Sequence, residues 1–158
     1  MRVALLVSAL AFVGAVVAAV LTQIFMDWQP CVLCVEIRAW MLGAGLLFTL
    51  AAMVPGGGVR RAVTALGTFC AIGAAWSGYH LLSIEQGWVQ SFSCSPFARF
   101  PSWLPLQTWW PTVFQPQAIC GDVIKSFLIP LSAWPILMAA VQVSYMFYVA
   151  TKSFLTRR

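Results

Sequence analysis

Val3 to Met26 is a run of 24 residues without a single charged side chain. About 20 apolar residues cross the hydrocarbon core of a bilayer as a helix, so the run predicts a transmembrane helix over 3–26. The apolar core of a secretory signal is only roughly 7–15 residues long, and the greater length here reads as an anchor. A second run, Ala39 to Val54, holds 16 residues. At 1.5 Å per residue it covers about 24 Å of a core about 30 Å thick. This helix must therefore begin earlier, near residue 35, which draws Cys34, Glu36 and Arg38 to the membrane boundary. Pro55-Gly56-Gly57-Gly58 is expected to stop it. Ala62 to Ile84 gives a third span, with His80 near its far end, and Ser126 to Thr151 is again uncharged. Ser132 is placed to cap a last helix, predicted over 132–151.

Composition supports the same fold class. The chain is 61% hydrophobic and 8% charged, with a mean hydropathy of +0.88. A soluble domain carries about 25% charged residues, so these charges cannot cover a water-facing surface. The expected architecture is an all-α integral membrane protein: a four-helix transmembrane bundle forming one domain over 1–158, with spans at 3–26, 35–54, 62–84 and 132–151. Loops at 27–34 and 85–131 share one side. In the longer loop, the stretch from Glu85 to Lys125 holds five of the nine prolines together with Trp88, Trp103, Trp109 and Trp110. Tryptophan favours the headgroup level, so this loop is expected to be partly interfacial and to include a short helix lying on the bilayer. There is no internal repeat.

Four spans place both termini and the Arg60-Arg61 connection together. Arg2, Arg60, Arg61, Lys152, Arg157 and Arg158 collect there without an acid. Cytoplasmic loops carry the excess of Lys and Arg, which makes that side cytoplasmic. The net charge of +5 is thus an orientation signal and implies no nucleic-acid partner.

On the opposite side the chain carries Cys31-Val32-Leu33-Cys34, with Arg38 one helical turn beyond Cys34. A Cys-x-x-Cys pair marks either redox chemistry or a metal knuckle. A zinc site needs two further ligands in a matching arrangement, and no second such pair exists, so no metal is expected. Cys94 and Cys120 fall on the same oxidising side, where disulfides persist. The natural pairs are Cys31–Cys34 and Cys94–Cys120, the second closing a loop of 25 intervening residues. As a plain staple that larger loop contributes roughly 3–4 kcal/mol. The two-residue loop is a poor staple and a good oxidant. Cys34 in the first turn of a helix has its thiolate favoured by the helix dipole. Arg38 at i+4 shares its face and is costly at a bilayer edge without a partner, which a thiolate or a ligand oxygen supplies. A snorkelling Arg38 that only marks the helix end is the plainer alternative. His80 lies at the depth of the thiol pair and can hydrogen-bond a ligand oxygen, or else simply an interfacial carbonyl. Gln23, near the outer end of the first helix, can donate into the same pocket or pack without a role there. Cys70, mid-span, reads as a small apolar residue, and the glycines of the second and third helices as close-packing positions.

The string Pro30 to Arg38 resembles the quinone-side motif of the DsbB family of inner-membrane disulfide oxidoreductases. Ser95-Pro96-Phe97, then Arg99-Phe100-Pro101-Ser102-Trp103-Leu104-Pro105-Leu106, then Trp110-Pro111-Thr112-Val113-Phe114 and Cys120, resemble that family's second periplasmic loop. The resemblance covers nearly the whole chain. It implies a relay in the bacterial inner membrane, with both termini cytoplasmic and the cysteine loops periplasmic. A thioredoxin-like periplasmic partner of the DsbA type attacks Cys94–Cys120, forming a mixed disulfide at Cys94. Cys120 attacks Cys31, and Cys34 passes electrons to a membrane quinone, ubiquinone or menaquinone. Cys31, Cys34, Cys94 and Cys120 are then catalytic; Arg38, His80 and Gln23 are the expected quinone contacts; Glu36 has no assigned role. Three rivals are a four-span structural protein with stapled loops, a related reductase running in reverse, and a metal transporter. The last lacks the acidic or histidine residues within the spans that such pathways use.

Overall fold

A computed structural model describes residues 2–27, 29–89, 100, 104–118 and 132–155. Among them every regular element is helical: α1 (Arg2–Met26), α2 (Val32–Met53), α3 (Gly57–Glu85), α4 (Leu106–Trp109), α5 (Pro111–Phe114) and α6 (Ala133–Leu155). By length and apolarity, α1 and α2 are each able to cross a membrane. The outward faces of the bundle are apolar as well, with Val7, Leu10 and Phe25 on α1, Phe69 and Trp76 on α3 and Phe147 on α6 all exposed. Such continuous apolar surface is a liability in water and suits lipid contact.

The buried positions follow helical spacing. On α1, Leu5, Ala9, Phe12, Val16 and Gln23 turn inward, the i, i+4, i+7 rhythm of a single face. They meet Met41, Ala44 and Phe48 of α2 in a core that continues into Ala71, Ala74 and Leu81 of α3 and Ala139 of α6. α2 packs on both α1 and α3, and α6 packs on α3. Small residues permit this closeness. A Cβ at Gly45 would stand 2.6 Å from Val13 Cγ2, and one at Gly78 only 2.9 Å from the Ser132 carbonyl oxygen. Two polar bonds tie α6 to the bundle. Ser8 Oγ donates to Gln142 Oε1 at 2.9 Å, and Ser132 Oγ donates to Glu85 Oε2 at 2.6 Å.

Several element boundaries differ from the sequence expectations. α2 starts at Val32, a turn earlier than residue 35, because Cys31 serves as its N-cap. α3 starts at Gly57 and not at residue 62, so the glycine string opens α3 and only Val54–Gly56 separates the two helices. The side chain of Arg60 makes this tight turn feasible. Its Nε and Nη2 donate to the Val54 carbonyl at 3.2 and 2.8 Å, satisfying an orphan acceptor at the end of α2. The expected interfacial helix is instead two single turns, α4 and α5, broken at Trp110-Pro111. Pro111 has no N–H to continue α4, yet suits the first position of α5. Ser132, expected as a cap, directs its hydroxyl across to Glu85.

Candidate redox site

The reversal from α1 to α2 sets the geometry. Asp27 closes α1 with a positive φ of 53°, a conformation that Asp tolerates better than most residues. Gln29 Nε2 then donates to the Asp27 carboxylate at 2.8 Å. Pro30 leads into Cys31, whose Sγ accepts the N–H of Cys34 at 3.4 Å, so one sulfur caps the helix that carries the other. The two sulfurs are 2.8 Å apart, in direct contact. Cys31 is buried, while Cys34 keeps part of its surface. The side-chain hydrogen bond with Cys34, followed by burial, holds the Cys31 thiol above its ordinary range. Cys31 thus keeps its proton.

Arg38 is 6% exposed. Its Nη1 donates to Gln23 Oε1 at 2.8 Å and to the Val113 carbonyl at 3.0 Å, and its Nη2 donates to the Ala19 carbonyl at 3.3 Å. Gln23 Nε2 in turn donates to the Thr112 carbonyl at 3.1 Å. The sequence expectation paired Arg38 with a thiolate or a ligand. In the structure three of the five guanidinium donors are spent on α1 and α5. Its charge still acts on both sulfurs through space. Burial of a guanidinium is costly unless its donors are met, and carbonyls from two elements meet them here.

α5 belongs to this site, which sequence reasoning did not foresee. Phe114 is 1% exposed and packs on Val32 and Val35, the residues flanking the thiol pair on α2. Phe100 meets it edge-on, with ring centroids 6.0 Å apart. The amides of Gln117 and Ala118 donate to the Pro30 carbonyl at 2.9 and 3.2 Å, immediately before Cys31. The available signal was the apolar pair Val113-Phe114 directly after Trp110-Pro111, in a stretch rich in proline and tryptophan. His80 is not brought into this group. It is exposed on α3, and among the described residues its contacts are the rings of Trp76 and Tyr79, with centroids 5.1 and 6.3 Å away. Cys94 and Cys120 lie outside the described residues. Cys70 is half-buried against the core beside Gly43.

A family model described as "Disulfide bond formation protein DsbB" matches residues 1–149. Disulfide bond formation protein B 2 of Pseudomonas aeruginosa is 36% identical over 103 residues, which covers 64% of this chain and 61% of that protein. The chain thus spans about three fifths of that relative's length. Disulfide bond formation protein B of Shewanella frigidimarina is 34% identical over 136 residues, 84% of this chain and 79% of the relative. The protein of the same description from Shewanella amazonensis is 34% identical over 131 residues, covering 78% and 75%.

Proposed function

Because the chain belongs to the DsbB family of disulfide bond formation proteins, we propose that it reoxidises a thioredoxin-like thiol oxidase of the DsbA type and delivers the electrons to a membrane quinone. The observation that carries this reading is the Cys31–Cys34 pair at the mouth of α2, in sulfur contact, with Arg38 a turn deeper. In the proposed topology the chain is one domain of four spans in the bacterial inner membrane. Both termini are cytoplasmic, and residues 27–34 and 85–131 are periplasmic.

The relay balances as dithiol plus quinone giving disulfide plus quinol. A thiolate of the reduced partner attacks the Cys94–Cys120 disulfide at Cys94, forming a mixed disulfide and freeing Cys120. The partner's second thiol resolves that bond and leaves oxidised. Cys120 attacks Cys31 of the Cys31–Cys34 disulfide, and Cys34 departs as a thiolate. Cys34 then supplies the electron pair to the quinone, and Cys120 re-forms its bond with Cys94 as Cys31 is released for re-pairing with Cys34. Cys31 is the buried member whose thiol is held above its ordinary range, so attack at Cys31 leaves Cys34 as the sulfur that departs more readily. Cys34 retains exposed surface, which suits contact with an external acceptor. The loop tether supports the middle step, since Ala118 is bonded to Pro30 and only two residues of chain lead from it to Cys120. An extended chain advances at most about 3.6 Å per residue.

The residues fit a quinone. Three N–H groups hold Arg38 in place and, among the described residues, two are left to bond a carbonyl oxygen and stabilise the charge that develops on it. Gln23 and His80 are the further proposed contacts, His80 from the outward face of α3. The energetics also ask for such an acceptor. About 30 mV is worth 1.4 kcal/mol in a two-electron couple, so a strongly oxidising partner is recharged only if a still stronger oxidant drains the site. The test is turnover of the purified protein with reduced partner and quinone. Quinone loss should match thiol loss mole for mole, and Cys31→Ser or Cys34→Ser should abolish it. Quinone reduction that survives either substitution refutes the relay.

A further inference from the structure

We infer that Gln23 is a positioning residue that locks the long loop to the thiol pair, by holding Arg38 with one end of its amide and the loop backbone with the other. The inference deepens the proposed relay and rests on it only where turnover is the readout.

The physical origin lies in α5. A helix leaves its last carbonyls without internal partners, and in a helix of four residues this affects nearly all of them. The Pro111 carbonyl is met locally by the Gln115 amide, and the Trp110 carbonyl by those of Val113 and Phe114. The carbonyls of Thr112 and Val113 are met from below instead, by Gln23 and Arg38. The two side chains are bonded to each other, so α1, α2 and α5 share one closed polar ring. Gln23 is 9% exposed, which makes each missing bond expensive. Phe114 and the two amides on Pro30 flank this ring on the loop. Among the described residues, Gln23 is the side chain that bonds both Arg38 and the loop. An apolar residue of similar length would fill the same space and leave the Thr112 carbonyl and one guanidinium donor unmet.

Disulfide transfer requires a sulfur to approach along the line of the bond it breaks, and small misplacements are costly for such steps. A lock between loop and mouth therefore matters most for electrons that enter through the loop. It matters less for those that a small dithiol delivers at Cys31–Cys34 directly.

The experiment compares the full chain in lipid nanodiscs with Gln23→Met and Gln23→Glu. Gln23→Met removes both bonds, whereas Gln23→Glu keeps an acceptor for Arg38 and loses the donor to Thr112. Hydrogen exchange at the amides of Gln115, Gln117 and Ala118 should quicken roughly three- to tenfold in Gln23→Met, the range expected for one or two lost bonds. It should quicken by a smaller factor in Gln23→Glu. The amides of Val54 and Arg60, at the far end of α2, should keep the parent rate. In turnover, quinone reduction driven by the reduced thioredoxin-like partner should fall several-fold more than quinone reduction driven by dithiothreitol. Loop exchange at the parent rate in both variants overturns the lock, as does equal acceleration at both ends of α2. If the parent reduces no quinone with either reductant, the relay is wrong, and the exchange rates still decide the lock.

Discussion

Two arginines serve the two ends of α2, and they do so in opposite ways. Arg60 sits six residues beyond Val54 and donates to the carbonyls of Val54 and Pro55, an arrangement completed within one turn of chain. It is half-exposed. Arg38 is buried and reaches Gln23, 15 positions before it, and Val113, 75 positions after it. The same functional group is a local cap at one end and a tertiary keystone at the other. The contrast teaches that a charged residue at a helix end acquires its meaning from what the rest of the chain brings to it. The Arg60 end is closed by a tight turn and needs nothing further. The Arg38 end is built from three elements and holds the sulfur pair.

The largest expected difference between the two ends is chemical. Cys34→Ser should reduce quinone turnover at least 100-fold, to the uncatalysed background, while leaving the exchange rates at Val54 and Arg60 untouched. Retained turnover would remove the redox role from the Arg38 end altogether. Next comes Arg38→Met, which takes the guanidinium donor from the buried Gln23 Oε1 and from the Val113 carbonyl. A cost of about 3 kcal/mol is expected from losing several charge-assisted bonds at a buried site. Thermal unfolding in detergent reads this cost, and a raised quinone KM should accompany it. An Arg38→Met protein as stable as the parent would reduce Arg38 to a simple anchor.

A third expectation concerns Cys31. Its thiol stands above the ordinary range, and only the thiolate alkylates, so at pH 8 the folded, reduced protein should react there far more slowly than the unfolded chain. The sign follows from the shift: a raised value leaves less thiolate at any pH below it. A gap of about tenfold or more, read by mass spectrometry after iodoacetamide labelling, would support the assignment. Equal rates would show that Cys31 is neither buried nor held by Cys34. The smallest effect belongs to Arg60→Met. Loss of a half-exposed cap at a helix C-terminus should cost only about 0.5–1 kcal/mol and leave the quinone KM unchanged. A cost matching that of Arg38→Met would erase the distinction between the two ends.

Much of this was legible in the residues. The uncharged run up to Met26 predicted α1 to within a residue. The shortness of the run after Ala39 required α2 to begin among the cysteines, which it does. The Cys31 sulfur as N-cap escaped notice, because cysteine is not an expected cap and its role appears only with the backbone geometry. The glycine string read as a helix stop, but a neighbouring arginine lets the chain turn sooner and begin α3 within it. The depth of His80 was legible, but its place on the outward face of α3 was not, since depth is set by position along a helix while facing is set by packing.

Hydrophobic run lengths, helix-breaking residues and the two-residue spacing of the sulfurs act over a few residues, so composition and order sufficed to place helices and to set two thiols at a helix mouth. The partners of Arg38, the burial of Phe114 and the docking of α5 against Val32 and Val35 depend on segments far apart in the chain. Only packing decided them, because a buried guanidinium takes whichever acceptors the folded backbone leaves unmet, and no local pattern reveals which carbonyls those are.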